Sequence, residues 1–148
     1  INEHINKAID SLKNLGKRKN ISISCSCSKG KKVLADKNAL ERILNNLIEN
    51  AFKYSDSQST INISTRKVKD HLEISVKDSG RGIPEQEQDS IFDRFYRTAE
   101  ARATEEKGSG LGLAIVKNLV NNLNGEVGIR NVKPQGSTFW FTLPLTTS

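Results

Sequence analysis

The sequence predicts an α+β fold, a two-layer α/β sandwich in which one mixed sheet of about five strands is covered on one face by three helices. Three segments repeat apolar residues at helical spacing, and five short segments alternate apolar and polar residues. The length of 148 residues fits one domain that can bury a core. We therefore treat residues 1–148 as a single domain.

The first half of the chain begins with a predicted helix over residues 2–15, which Gly16 is expected to end. Within residues 21–34, Ile21 and Ile23 alternate with serines, and Val33 and Leu34 follow a Lys-Gly-Lys-Lys turn, so the segment predicts a hairpin. Asp36 then precedes a long helical pattern from about residue 38 to residue 54. An aspartate in that position predicts a helix cap.

The second half contains four strand patterns and one strong helix pattern. Residues 61–65 and 72–76 are expected to pair antiparallel across a short turn. A helix is predicted over residues 111–123, ended by an Asn-Gly pair. Residues 127–129 and 138–143 predict the last two strands.

Composition limits the classes of partner. The chain has 23 Lys and Arg against 17 Asp and Glu, a formal net charge of +6, which favours anionic partners. No apolar run approaches the roughly 18 residues of a membrane span, so we expect no direct membrane contact. Cys25 and Cys27 cannot close a zinc site by themselves, and we interpret them as small strand side chains of a reducing compartment.

The predicted helix over residues 38–54 has a polar face beside its apolar stripe. On a helical wheel, Asn46, Asn50 and Lys53 share one arc, with Tyr54 at its border. Amide oxygens can bind a hard cation such as Mg²⁺ while an ammonium group meets phosphate oxygens. The arc therefore suits a metal-complexed anion, although a solvated polar face remains the alternative.

Two glycine clusters add to this pattern. Asp78 ends a strand and is followed by glycines at 80 and 82, where an aspartate can accept a hydrogen bond from an amine such as that of adenine. The glycines of residues 108–112 open a helix, and backbone N–H groups there attract phosphate. Residues 98–109 have no apolar face and predict a mobile lid. No P-loop motif and no eukaryotic-type kinase motif is present.

Taken in order, these motifs resemble the catalytic ATP-binding domain of sensor histidine kinases, a group related to the gyrase, Hsp90 and MutL ATPases. The resemblance implies the Bergerat-type ATP-binding fold, with residues 1–16 as the leading helix and residues 96–109 as a flexible ATP lid. The matching motifs are the asparagine box LNNLIENAFKYS (44–55), the first glycine box DSGRGIP (78–84), the phenylalanine box IFDRFYR (91–97), the second glycine box GSGLGL (108–113) and the terminal motif GSTF (136–139).

The resemblance also implies roles for individual residues. Asn50 would bind Mg²⁺, Lys53 and Arg97 would meet phosphates, and Asp78 would bind the adenine amine. The implied catalytic set is Asn46, Glu49, Lys53 and Arg97. The implied nucleotide-binding set is Asn46, Asn50, Lys53, Tyr54, Asp78, Gly80, Gly82, Ile83, Arg97, Gly108, Ser109, Gly110, Leu111, Gly112, Leu113 and Thr138.

One position favours phosphotransfer over hydrolysis. The related ATPases carry a glutamate one helical turn before the metal-binding asparagine, and this chain has Asn46 there. An amide cannot act as a general base. Glu49 is expected to help activate the acceptor imidazole rather than water. Phe92 and Phe95 are expected to anchor the lid.

The acceptor histidine is expected to lie outside this chain. Neither His4 nor His71 fits the family's H-E-[FL]-R motif, so both are interpreted as surface residues. We expect residue 1 to be a cut end, with the phosphoacceptor and dimerisation domain absent and autokinase activity therefore lacking. The predicted partners are ATP, that dimerisation domain and a response regulator, with no nucleic acid, in the cytoplasm. An ATPase or serine kinase of the same superfamily, or a non-catalytic nucleotide-binding module, remains the alternative.

Overall fold

The structure is a computed structural model that describes residues 2–17, 20–27, 32–33, 35–54, 58–78, 85–88, 90–93, 112–131 and 136–146. Within these ranges no helix is both long and apolar enough to cross a membrane. The elements, in chain order, are α1 (Asn2–Lys17), β1 (Ser22–Ser26), α2 (Lys37–Tyr54), β2 (Thr60–Val68), β3 (His71–Asp78), α3 (Glu85–Gln88), α4 (Gly112–Asn122), β4 (Val127–Asn131) and β5 (Ser137–Pro144).

The five strands form one mixed sheet in the order β1-β2-β3-β5-β4. The β1–β2 pair is parallel, and the other three pairs are antiparallel. The buried residues of α2 recur every three or four positions, and those of the strands recur every two positions. One stripe of the helix therefore packs against one face of the sheet. The predicted sandwich, with three long helices on one face of a mixed sheet, is confirmed.

The core lies between α2 and the central strands. Large aliphatic and aromatic side chains fill it, and each fully buried one contributes about 1.5–3 kcal/mol. Among the residues that the structure describes, the largest fully buried side chains are Phe141, Ile5, Ile43, Leu44, Leu47, Ile48, Ile61, Ile63, Leu72, Ile74, Leu143 and Val76.

Helix α2 begins where the sequence predicts. The Ala39 N–H donates a hydrogen bond of 3.0 Å to Asp36 Oδ2, so the aspartate satisfies one of the free donors of the first turn. The Leu40 N–H donates to the Asp36 carbonyl at 2.9 Å, which starts the helical hydrogen-bond pattern. The predicted cap is therefore confirmed.

Helix α4 ends at the predicted Asn-Gly pair, and the two residues have different roles in ending it. Asn124 adopts the left-handed conformation, with φ of 64°, and the Gly125 N–H donates to the Val120 carbonyl at 3.0 Å. A Cβ on Gly125 would lie 1.8 Å from the carbonyl oxygen of Thr142. Gly125 is therefore required by the close approach of β5.

The predicted hairpin over residues 21–34 is wrong. β1 pairs with β2 instead, with Ile23 opposite Ile61, and Val33 forms an isolated bridge with Leu145. The β1–β2 pair is parallel, and a parallel pair requires a long crossover, which α2 supplies. Helix α1 also continues through Gly16 to Lys17, slightly past the predicted end.

The interpretation of the cysteines as independent strand side chains is also wrong. Cys25 and Cys27 are joined by a disulfide bond, and their Cα atoms lie 5.8 Å apart. Alternate residues of a strand point to the same face, so the extended chain itself brings the two sulfur atoms together.

Candidate functional site

The polar face of α2 meets the first turn of α4. A Cβ on Gly112, the first residue of α4, would lie 3.6 Å from Asn46 Oδ1. Asn46 is half-buried. Its amide therefore lies next to a helix N-terminus, where backbone N–H groups have no partner within the helix and attract anions.

The other residues of the polar face of α2 follow Asn46 toward the end of the helix. Asn50 lies one turn after Asn46 and is also half-buried, whereas Glu49 is exposed. Lys53 and Tyr54 belong to the last turn of α2, but their side chains lie outside the described part of the structure. The two asparagines thus form the described part of the predicted polar face.

Asp78 is the last residue of β3, and only 3% of it is exposed. It shares the helix-covered face of the sheet with Leu72, Ile74 and Val76, because residues two apart on a strand point to the same side. The Ser137 N–H donates to Asp78 Oδ1 at 3.3 Å. A buried carboxylate with a fixed donor on one oxygen is held in one orientation, which suits recognition of a ligand amine.

Ser137, which is outside the predicted nucleotide-binding set, lies beside Asp78. The register pairs Asp78 with Ser137 and Lys77 with Thr138, so Thr138 lies on the other face of the sheet. Ser137 is buried. The sequence contains a signal for the burial of Ser137, because Ser137 continues the alternation of Phe139 and Phe141 and so lies on the same, apolar side of the strand.

Several predicted site residues fall outside the described residues. Leu113 is described, and it is half-buried against the core at the start of α4. The predicted residues outside the described ranges are Gly80, Gly82, Ile83, Arg97, Gly108, Ser109, Gly110 and Leu111, together with the lid over 96–109 and Phe95.

Phe92 packs against the sheet. Its ring meets that of Phe139 edge-to-face, with centroids 6.4 Å apart and an interplanar angle of 81°. Only 8% of Phe92 is exposed. Such a contact fixes the chain at Phe92 on the sheet. That Phe92 anchors the lid stays a prediction, because the lid lies outside the described residues.

The described donors fit a magnesium-bound phosphate group. Mg²⁺ prefers oxygen ligands and keeps several waters, so one amide oxygen of α2 together with phosphate oxygens would satisfy it. No cluster of three or more His, Cys, Asp or Glu occurs in the ranges that the structure describes. An all-protein metal cage is therefore not the arrangement found in that part of the chain.

The second polar cluster lies on the opposite, open face of the sheet. Arg130 and Arg66 donate to the carboxylate of Glu73 at 2.8 Å and 3.3 Å, and Arg130 also lies 5.5 Å from the centre of the Trp140 ring. Burial alone would raise the pKa of Glu73, but the hydrogen bond and charge of Arg130, with those of Arg66, outweigh it and lower the pKa below 4.5. This cluster ties β2, β3 and β4 together.

His71 is committed to a structural contact. Its Nε2 lies 3.2 Å from the carbonyl oxygen of Asn124. A carbonyl only accepts, so Nε2 carries the proton of this bond. The bond joins the start of β3 to the end of α4.

Comparisons with known proteins identify the family. Residues 35–147 match the family described as "Histidine kinase-, DNA gyrase B-, and HSP90-like ATPase". The chain is 36% identical over 140 residues to the sensor-like histidine kinase SenX3 of Mycolicibacterium smegmatis, covering 95% of this chain and 36% of SenX3. The chain thus spans little more than a third of the length of that relative.

Solved structures show the same fold. The mycobacterial sensor histidine kinase MprB superposes with a TM-score of 0.87 at 30% identity, over 97% of this chain and 95% of that one. Full-length ShkA in complex with AMPPNP superposes with a TM-score of 0.85 at 28% identity, over 99% of this chain and 30% of ShkA.

Proposed function

Because this chain belongs to the histidine kinase-, DNA gyrase B- and HSP90-like ATPase family, we propose that it binds Mg-ATP and donates the γ-phosphate to a histidine on a separate dimerisation domain. Within the family it is the ATP-binding catalytic domain of the sensor histidine kinase class. The phosphorylated histidine would then pass the phosphoryl group to a response regulator. The proposal includes a cytoplasmic location, since ATP is present there.

The position of Asn46 beside the first residue of α4 carries the proposal. Helix α2 presents an amide to the start of α4, where the first backbone N–H groups have no partner within the helix and attract phosphate. Mg²⁺ is part of the proposal, with Asn50 as its protein ligand. Lys53 and Arg97 are proposed to neutralise phosphate charge.

Asp78 is proposed to select the base. Its Oδ1 already accepts from the Ser137 N–H, and a carboxylate has further acceptor positions for the amine of adenine. GTP carries a carbonyl oxygen where ATP carries that amine, so two acceptors would face each other. The site is therefore expected to favour ATP over GTP.

The protein supports transfer mainly by position and charge. Transfer breaks the bond between the γ-phosphorus and the oxygen that leaves with ADP, and forms a bond to an imidazole nitrogen. Such a reaction needs in-line geometry and neutralised phosphate charge more than covalent chemistry. Glu49 is exposed on α2, where it is proposed to meet the incoming histidine.

Hydrolysis is the rival activity within the same family. The position one turn before Asn50 holds an amide, Asn46, which cannot take a proton from water. We therefore expect slow phosphate release by this chain alone and rapid transfer only when a histidine domain is supplied. Steady release of phosphate by the isolated chain would favour the ATPase alternative.

Calorimetry with AMPPNP and Mg²⁺ tests nucleotide binding. Asp78→Asn should weaken AMPPNP binding at least about tenfold, because a hydrogen bond to a charged group contributes about 1.5–3 kcal/mol. Asp10→Asn, an exposed change on α1, should leave binding unchanged. If the wild-type chain shows no binding at millimolar AMPPNP, the proposed function is refuted.

A further inference from the structure

The disulfide between Cys25 and Cys27 lies at the edge of the sheet, because β1 is the first strand and pairs with β2 alone. Cys25 sits opposite Ile63 in the register, and its side chain is exposed. Cys27 follows the strand and packs half-buried against the core. The two residues joined by the bond therefore differ in their exposure to solvent.

A reduced Cys27 would also have a hydrogen-bond acceptor within reach. The carbonyl oxygen of Ile63 lies 3.9 Å from Cys27 Sγ, within reach of the S–H group of a reduced Cys27. The thiolate of cysteine, rather than the thiol, is the form that attacks a disulfide.

We propose that Cys25 and Cys27 form a reversible dithiol–disulfide site that reacts with small disulfides of the glutathione class. Cys25 is the attacking residue because it is exposed, and Cys27 is the resolving residue because it is partly covered and adjacent. Exposed disulfides are the labile kind, whereas structural disulfides resist reduction. The site does not depend on the proposed nucleotide chemistry.

The reaction balances in two exchange steps. The Cys25 thiolate attacks one sulfur of glutathione disulfide, which forms a mixed disulfide and releases one glutathione thiolate. The Cys27 thiolate then attacks the Cys25 sulfur and releases the second glutathione. The protein loses two thiol protons and two electrons, and one glutathione disulfide is reduced to two glutathione molecules.

The test follows alkylation and intact mass after the reduced chain is mixed with glutathione disulfide. The wild-type chain should lose both alkylation sites together and retain no glutathione, and excess reduced glutathione should restore both thiols. Cys27→Ser should hold one glutathione on Cys25. Cys25→Ser should be modified about tenfold more slowly, because Cys27 is partly covered.

Four other outcomes of these measurements would each refute the proposal. If both thiols stay alkylatable throughout, the exchange does not occur. If the bond persists in excess reduced glutathione, it is structural rather than reversible. If linked dimers form instead, the pairing is between molecules, and if both single variants react at the same rate, the assigned roles are wrong.

Discussion

Replacing Glu73 by glutamine removes the charge that holds two arginines on the open face of the sheet. Its side chain is 9% exposed, whereas those of Arg130 and Arg66 are 49% and 65% exposed. The carboxylate is therefore the buried partner, and the two arginines stay in contact with water. This asymmetry determines how much each change should cost.

Partly exposed ion pairs contribute about 0.2–1 kcal/mol each, so two pairs contribute at most about 2 kcal/mol. Glu73→Gln also removes the cost of burying a charge, which offsets part of that loss. We expect the free energy of unfolding at neutral pH to fall by about 1 kcal/mol. Replacing Arg66 and Arg130 together by alanine should cost at least about twice as much, because a buried carboxylate then remains without its cations.

The pH dependence has a definite sign. The pKa of Glu73 is lowered in the folded state from its ordinary value of 4.5, so its stabilising effect is complete above that value and is lost as pH falls through the folded pKa. The deficit of Glu73→Gln relative to wild type should therefore shrink on acidification. Urea unfolding of the three proteins, at neutral pH and at about pH 4, measures both effects. If Glu73→Gln costs more than the double arginine change, the burial argument is refuted.

Three further changes test particular contacts. Asp36→Ala removes the cap bonded to Ala39 and should cost about 1 kcal/mol in urea unfolding, with no loss indicating that the cap is not used. Gly125→Ala places a Cβ on the Thr142 carbonyl and should cost about 1–3 kcal/mol; wild-type stability would contradict that close approach. Gly112→Ala meets Asn46 at an ordinary contact distance of 3.6 Å, so unfolding should be unchanged within about 1 kcal/mol while AMPPNP affinity falls at least about tenfold. Unchanged affinity would show that nucleotide does not approach this residue.

Elements with local signals could be predicted from the sequence. Helix α2 carries its apolar stripe and its cap within one segment, so both its type and its start were predictable. The strand pair β2–β3 was predictable because a short turn joins the two strands, and Lys69 has the φ of 55° that such a turn requires. In each case the stabilising partners are close in sequence.

Strand partners distant in sequence could not be predicted in the same way. Ile21 and Ile23 indicate a strand but carry no signal that selects β2 over residues 33–34 as its neighbour. The disulfide has the same character, because the spacing of Cys25 and Cys27 fits two free thiols as well as one bond. The partner of β1 is decided by the path of the chain through α2, which brings β1 parallel to β2.

The site residues differ in predictability for a related reason. Asn46 was predictable from the helical wheel, since its arc is fixed by α2 alone. The choice between Ser137 and Thr138 depends on which face of β5 meets α2, and one residue of shift exchanges the two faces. The apolar pattern of Phe139 and Phe141 settles that choice only when it is extended back to the start of the strand.

The two glycines that bound α4 show how fold and ligand requirements can be separated. Gly125 is required by the fold, because any side chain there would overlap the backbone of β5. A Cβ on Gly112 would meet Asn46 Oδ1 at an ordinary contact distance of 3.6 Å, so the residues that the structure describes give no packing reason for the absence of a methyl group. A glycine that packing does not require, placed at a helix N-terminus beside a polar amide, is best explained by a ligand that approaches the backbone. The ordinary contact distance at Gly112 is thus a stronger argument for phosphate binding than an overlap with the protein would be.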